Sequence, residues 1–68
     1  MTLDELRQKY EDKAKTAEEY SKVYNNRGDE AKRKGEYEKA IAYYDLATDK
    51  YNEAVIYTKF VNDLFHLN

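Results

Sequence analysis

A stripe of residues at Tyr37, Ala40, Tyr44, Ala47, Tyr51, Ala54, Thr58, Val61 and Phe65 steps through the second half of this chain in alternating intervals of three and four. Thr58 is its one polar member, and it still presents a methyl. That rhythm keeps one face of an α-helix apolar for about eight turns. The second half therefore reads as one long helix, which must cover its stripe against another helix.

The first half supplies that partner. Thr2-Leu3-Asp4-Glu5 has the form of a capping box, and Met1 and Leu6 occupy the two positions of a hydrophobic staple, so the first helix is expected to begin at Leu3. Its thinner stripe runs through Leu3, Leu6, Tyr10, Ala14, Ala17, Tyr20, Tyr24 and Ala31, with Gly28 on the same face. Lys32-Arg33-Lys34 places positive charge where a helix C-terminus favours it, Gly35 follows as the capping glycine, and Glu36 and Glu38 reverse the sign for the next helix start. Residues 1–34 hold nine basic and eight acidic side chains and residues 35–68 three and six, so the halves are modestly complementary.

The fold class expected is all-α: an antiparallel hairpin of two long helices, about 3–34 and 36–66, dimerising to a four-helix bundle. Equal rise along the two helices sets Gly28 opposite Tyr44, Tyr24 opposite Ala47, Tyr20 opposite Tyr51, Ala17 opposite Ala54, Tyr10 opposite Val61 and Leu6 opposite Phe65. The layer at Thr58 is thin, and a slight rotation would let Tyr57 fill it. A second capping box at Thr16-Ala17-Glu18-Glu19, the weak-helix patch Asn25-Asn26, and Asn52 after Thr48-Asp49 each offer a break, so a three-helix bundle or a repeat-like helix array is the alternative. The absence of proline and of any polar loop at these points favours unbroken helices.

Composition narrows function by exclusion. A 68-residue chain has room for a single all-α domain with a small core, and with no cysteine it has no disulfide to support it. The lone His66, with Asp63 one helical turn before it, is a weak metal signal, and no catalytic, cofactor or metal site is expected. A net charge of −2 and the lack of a long apolar run argue against a membrane partner and make nucleic acid a disfavoured one. The polar, acidic start does not resemble a signal peptide, so a cytoplasmic location is expected.

The segment from Tyr24 to Ala47 carries an aromatic at Tyr24, paired glycines at Gly28 and Gly35, then Tyr37, Ala40, Tyr44 and Ala47. In that order it resembles a tetratricopeptide repeat. It departs from the repeat at Arg27, where a large apolar residue is usual, at Ala31, where an aromatic is, and at Asn52, where a closing proline is. It is also similar to the helix-glycine-helix segment of microtubule-interacting and trafficking domains. Either resemblance implies protein binding without catalysis.

Apolar residues beside the stripe mark the candidate binding surface. Tyr43, Leu46, Tyr57, Phe60 and Leu64 form an off-centre band that an isolated hairpin would expose, and exposed aromatics in a group indicate an interface. A second copy is the leading partner, a third helix of the same chain the ordinary alternative, and a helical peptide of another protein a third. Arg27, Lys32, Arg33 and Lys34 make a basic tip where a phosphate backbone would sit, although dipole compensation explains the same charges. The function expected is that of a non-catalytic interaction or scaffold module acting through self-association. A peptide-binding repeat fragment and a small RNA-binding hairpin are the alternatives. The capped start and matched halves also fit an engineered helical protein, from which the tyrosine-rich seam and Asn25-Asn26 depart.

Overall fold

The computed structural model describes residues 1–67. Two helices, α1 (Leu3–Arg33) and α2 (Tyr37–Phe65), lie side by side as an antiparallel hairpin 52 Å long. Both run unbroken through the positions where a break was conceivable: Thr16 and Asn25 lie inside α1, and Asn52 lies inside α2.

The ends follow from local chemistry. Thr2 is extended, and its hydroxyl accepts the Glu5 amide hydrogen at 3.1 Å while donating to the Glu5 carboxylate at 3.2 Å. This covers one of the amides a helix start leaves unpaired. Met1 stays exposed, so the staple adds little. At the turn, Gly35 adopts φ +78°, a left-handed conformation that costs an L side chain energy. The Glu36 amide bonds the Ala31 carbonyl at 2.9 Å and the Gly35 amide bonds that of Lys32 at 3.0 Å, the paired bonds of a Schellman cap. Three residues thus reverse the chain.

Small residues form the seam. The buried positions are Ala17, Ser21, Gly28 and Ala31 on α1 and Ala40, Ala47, Ala54 and Val61 on α2. The α2 set recurs every seven residues, the repeat of a left-handed supercoiled pair. Ser21 shows how close the backbones come, since its short side chain donates across the seam to the Ala47 carbonyl at 3.0 Å. At Gly28 a Cβ atom would stand 2.6 Å from the Tyr44 ring, so any larger residue there requires that ring to move.

The buried row of α2 is the expected one at Ala40, Ala47, Ala54 and Val61, but the helix is rotated so that the row beside it differs. The half-buried residues beside the buried row are Tyr43, Lys50, Glu53, Tyr57 and Leu64, with Tyr44 on the expected side, while Tyr37, Tyr51, Thr58 and Phe65 turn outward. The expected Gly28–Tyr44 meeting occurs. Tyr24, however, stacks on Tyr43 with ring centroids 6.3 Å apart, and Tyr10 stacks on Tyr57 at 5.9 Å and meets Phe60 edge-on at 5.5 Å. Tyr57 therefore fills the layer that Thr58 leaves empty.

Candidate interaction surfaces

Burial is inverted with respect to size. No large side chain is fully buried, whereas Tyr20, Val23, Tyr37, Ile41, Tyr51, Val55, Ile56 and Phe65 all stand exposed. Alanine and glycine at the seam bring the helices close together, and the larger residues are displaced to the flanks. A chain with this arrangement presents many of its large apolar side chains to the outside.

The expected interface residues separate into two groups. Tyr43, Tyr57 and Leu64 are half-buried, Tyr43 and Tyr57 in stacks with α1 tyrosines and Leu64 beside Tyr10 in an apolar dimple closed by Phe60, Asp63 and Leu67. Leu46 and Phe60 remain exposed, with Phe60 leaning on Tyr10. On that flank the spacing of three and four interleaves Leu46, Ile56 and Phe60 with Asp49, Glu53 and Asp63. Pressing two such flanks together would take these acids, and Lys39 at the head of the same row, out of water.

The opposite flank of α2 is different in kind. Tyr37, Ile41, Tyr44, Thr48, Tyr51, Val55, Thr58, Asn62 and Phe65 follow one another at helical spacing without a single charged residue. Tyr44 is the member most tied to α1, because its hydroxyl donates to the Asp29 carboxylate at 2.5 Å. That bond, reinforced by partial burial and by the Asp29 charge and opposed by Arg33, holds the Tyr44 hydroxyl above its ordinary pKa. At the free end, the Arg7 guanidinium lies 4.4 Å over the Phe65 ring, a cation–π contact, and Arg7 also pairs with Asp4.

Sequence reasoning singled out neither Ile41 nor Val55, and it assigned Tyr37, Tyr51 and Phe65 to the seam. The signal that would have found this flank is the absence of charge, which persists along the whole helix while every other exposed row of α2 carries acids or lysines.

The basic residues gather as expected near the turn, but not alone. Arg27, Lys34 and Lys39 line a shallow recess with Glu30 and Glu36, and Lys34 and Lys39 pair with those acids at 3.2 and 3.5 Å. Lys32 and Arg33 are exposed in the last turn of α1. The tip therefore carries mixed charge. Among the described residues, no three His, Cys, Asp or Glu side chains group closely enough to hold a metal ion, and no helix is long and apolar enough to cross a membrane. Compared with known proteins, the chain matches no family model, no curated protein and no solved structure.

Proposed function

We propose that this chain is a non-catalytic protein–protein interaction or scaffold module that works by self-association of its hairpin, in keeping with a cytoplasmic setting. The observation that carries the reading is the inversion of burial: the buried seam is alanine, glycine and serine with Val61 alone beyond them, and the larger apolar residues are half-buried or exposed. A seam of small side chains removes little apolar area from water per residue, so a hairpin of this size gains most by covering its flanks. Pairing with another copy does so without a ligand or a covalent link.

Thermal unfolding followed across a wide range of chain concentration tests this. For a self-associating hairpin the melting temperature rises with concentration, because association draws the folded state forward by mass action. A melt that is cooperative and independent of concentration, from a chain that sediments as a monomer, overturns the proposal.

A further inference from the structure

We infer that the uncharged flank of α2 is the self-association surface, and that it pairs with the same flank of a second copy in antiparallel orientation about a two-fold axis near Asn52. This rests on the self-association reading above and specifies its geometry.

Area supports a dimer of this kind. Tyr37, Tyr51 and Phe65 are 65%, 59% and 51% exposed. With aromatic side chains of ~200 Å², covering these three buries about 700 Å² in a pair, before Ile41, Val55 and the flanking residues bring it toward the ~1,000 Å² where specific interfaces begin. A charge-free stripe also lets two copies meet without burying an ion.

Charge order identifies the occupant. At 100° per residue, the row Glu38, Asp45, Asn52, Lys59 and His66 lies about 140° round from the seam row, bordering the stripe on the side away from α1. Its sequence of charges is acidic, acidic, neutral, basic, and then a histidine. A two-fold axis at Asn52 brings this border onto itself reversed, as an isologous contact requires, and sets Asp45 against the partner subunit's Lys59 and Glu38 toward the partner subunit's His66. Among the described residues, Glu38, Asp45 and Lys59 form no ion pair within the chain. In a parallel pair the two-fold axis runs along the helices, so this border meets the other edge of the partner's stripe and Asp45 gains no lysine, and a foreign helix has no need of a row that complements its own reverse.

Sedimentation of the full chain and five variants tests both the face and the register, with helicity by circular dichroism as the check on folding. Ile41→Glu with Val55→Glu converts the dimer to monomer and leaves the hairpin helical, whereas Leu46→Glu on the other flank leaves the dimer in place. Asp45→Lys and Lys59→Asp each weaken dimerisation about tenfold at low salt, because both symmetry-related pairs become repulsive, and the doubly swapped chain recovers to within about twofold. A double swap no stronger than the single variants overturns the antiparallel register. A dimer that survives Ile41→Glu with Val55→Glu but dissociates with Leu46→Glu overturns the face while leaving self-association intact. A wild-type chain that remains monomeric at hundreds of micromolar overturns self-association itself.

Discussion

Replacing Gly28 with alanine separates a tightly closed seam from a loose one, because two opposing effects of known size meet at that position. In the middle of an exposed helix, glycine to alanine gains about 1 kcal/mol of helix stability. Gly28 is buried, however, and the added Cβ would lie 2.6 and 2.8 Å from two carbons of the Tyr44 ring, distances at which the ring must move. Moving it also breaks the bond from the Tyr44 hydroxyl to Asp29. Overpacking of this kind costs about 1–3 kcal/mol, so the net expectation is a loss of about 1 kcal/mol. For a domain of this length that lowers the melting temperature by roughly 4–8 °C, measured at fixed chain concentration. The second half of the cycle removes the obstacle: in a Tyr44→Ala background, Gly28→Ala becomes stabilising by about 1 kcal/mol, and the sign reversal is the coupling between the two sites. If Gly28→Ala instead stabilises the wild-type chain, the helices do not approach closely there and the reasoning about the seam is refuted.

Three further outcomes follow from the same geometry. Ala47→Leu, at a site only 2% exposed, is expected to cost about 1–3 kcal/mol in thermal melts, while Ala42→Leu on the exposed side of the same helix is near neutral. Gly35→Ala is expected to lose about 1 kcal/mol through backbone strain alone, because the position has φ +78° and nothing lies within 4 Å of a Cβ there; Gly35→Asn loses less in the same melt. The raised pKa of Tyr44 means that the folded state holds this proton more tightly than the unfolded chain, so its contribution is present below the ordinary value of 10.0 and is lost as pH rises through the raised one. Tyr44→Phe should therefore flatten part of the alkaline fall in melting temperature. The remainder is partly due to Lys50, whose pKa is raised in the same direction by Glu53.

The hairpin was legible because several independent signals agreed at one place. The basic run before Gly35, the acids after it and the glycine itself specify a helix end, a turn and a helix start, and the Schellman bonds to Ala31 and Lys32 realise them. The seam register was harder to read. Tyrosines at 43 and 57 compete with tyrosines at 44 and 51 for the same role, and a period of 3.6 defines an arc of the helix without choosing between adjacent rows.

Lys50 concealed the correct row. It occupies a seam position, where its stem is half-buried while its ammonium group pairs with Glu53 at 3.0 Å and lies 5.7 Å from the Tyr20 ring. A lysine that snorkels in this way looks like a solvent position in sequence. The alanine row at 40, 47, 54 and 61 carried the better information, since a strict interval of seven tells which residues meet a partner helix. The uncharged flank is hard to read from sequence for a related reason: its tyrosines fit the core stripe equally well, and Ile41 and Val55, seven residues to either side of Thr48, stand as scattered singles rather than as one row.

The most direct measurement is the distance between spin labels on two copies, using single-cysteine variants of a chain that has no cysteine of its own. For antiparallel pairing about Asn52, labels at Asn52→Cys lie close together, whereas labels at Glu38→Cys are separated by the rise of about 28 residues, or about 42 Å. Close approach at both positions would mean that the copies run parallel, and no intermolecular distance at either would mean that the hairpin stands alone; either result contradicts the account.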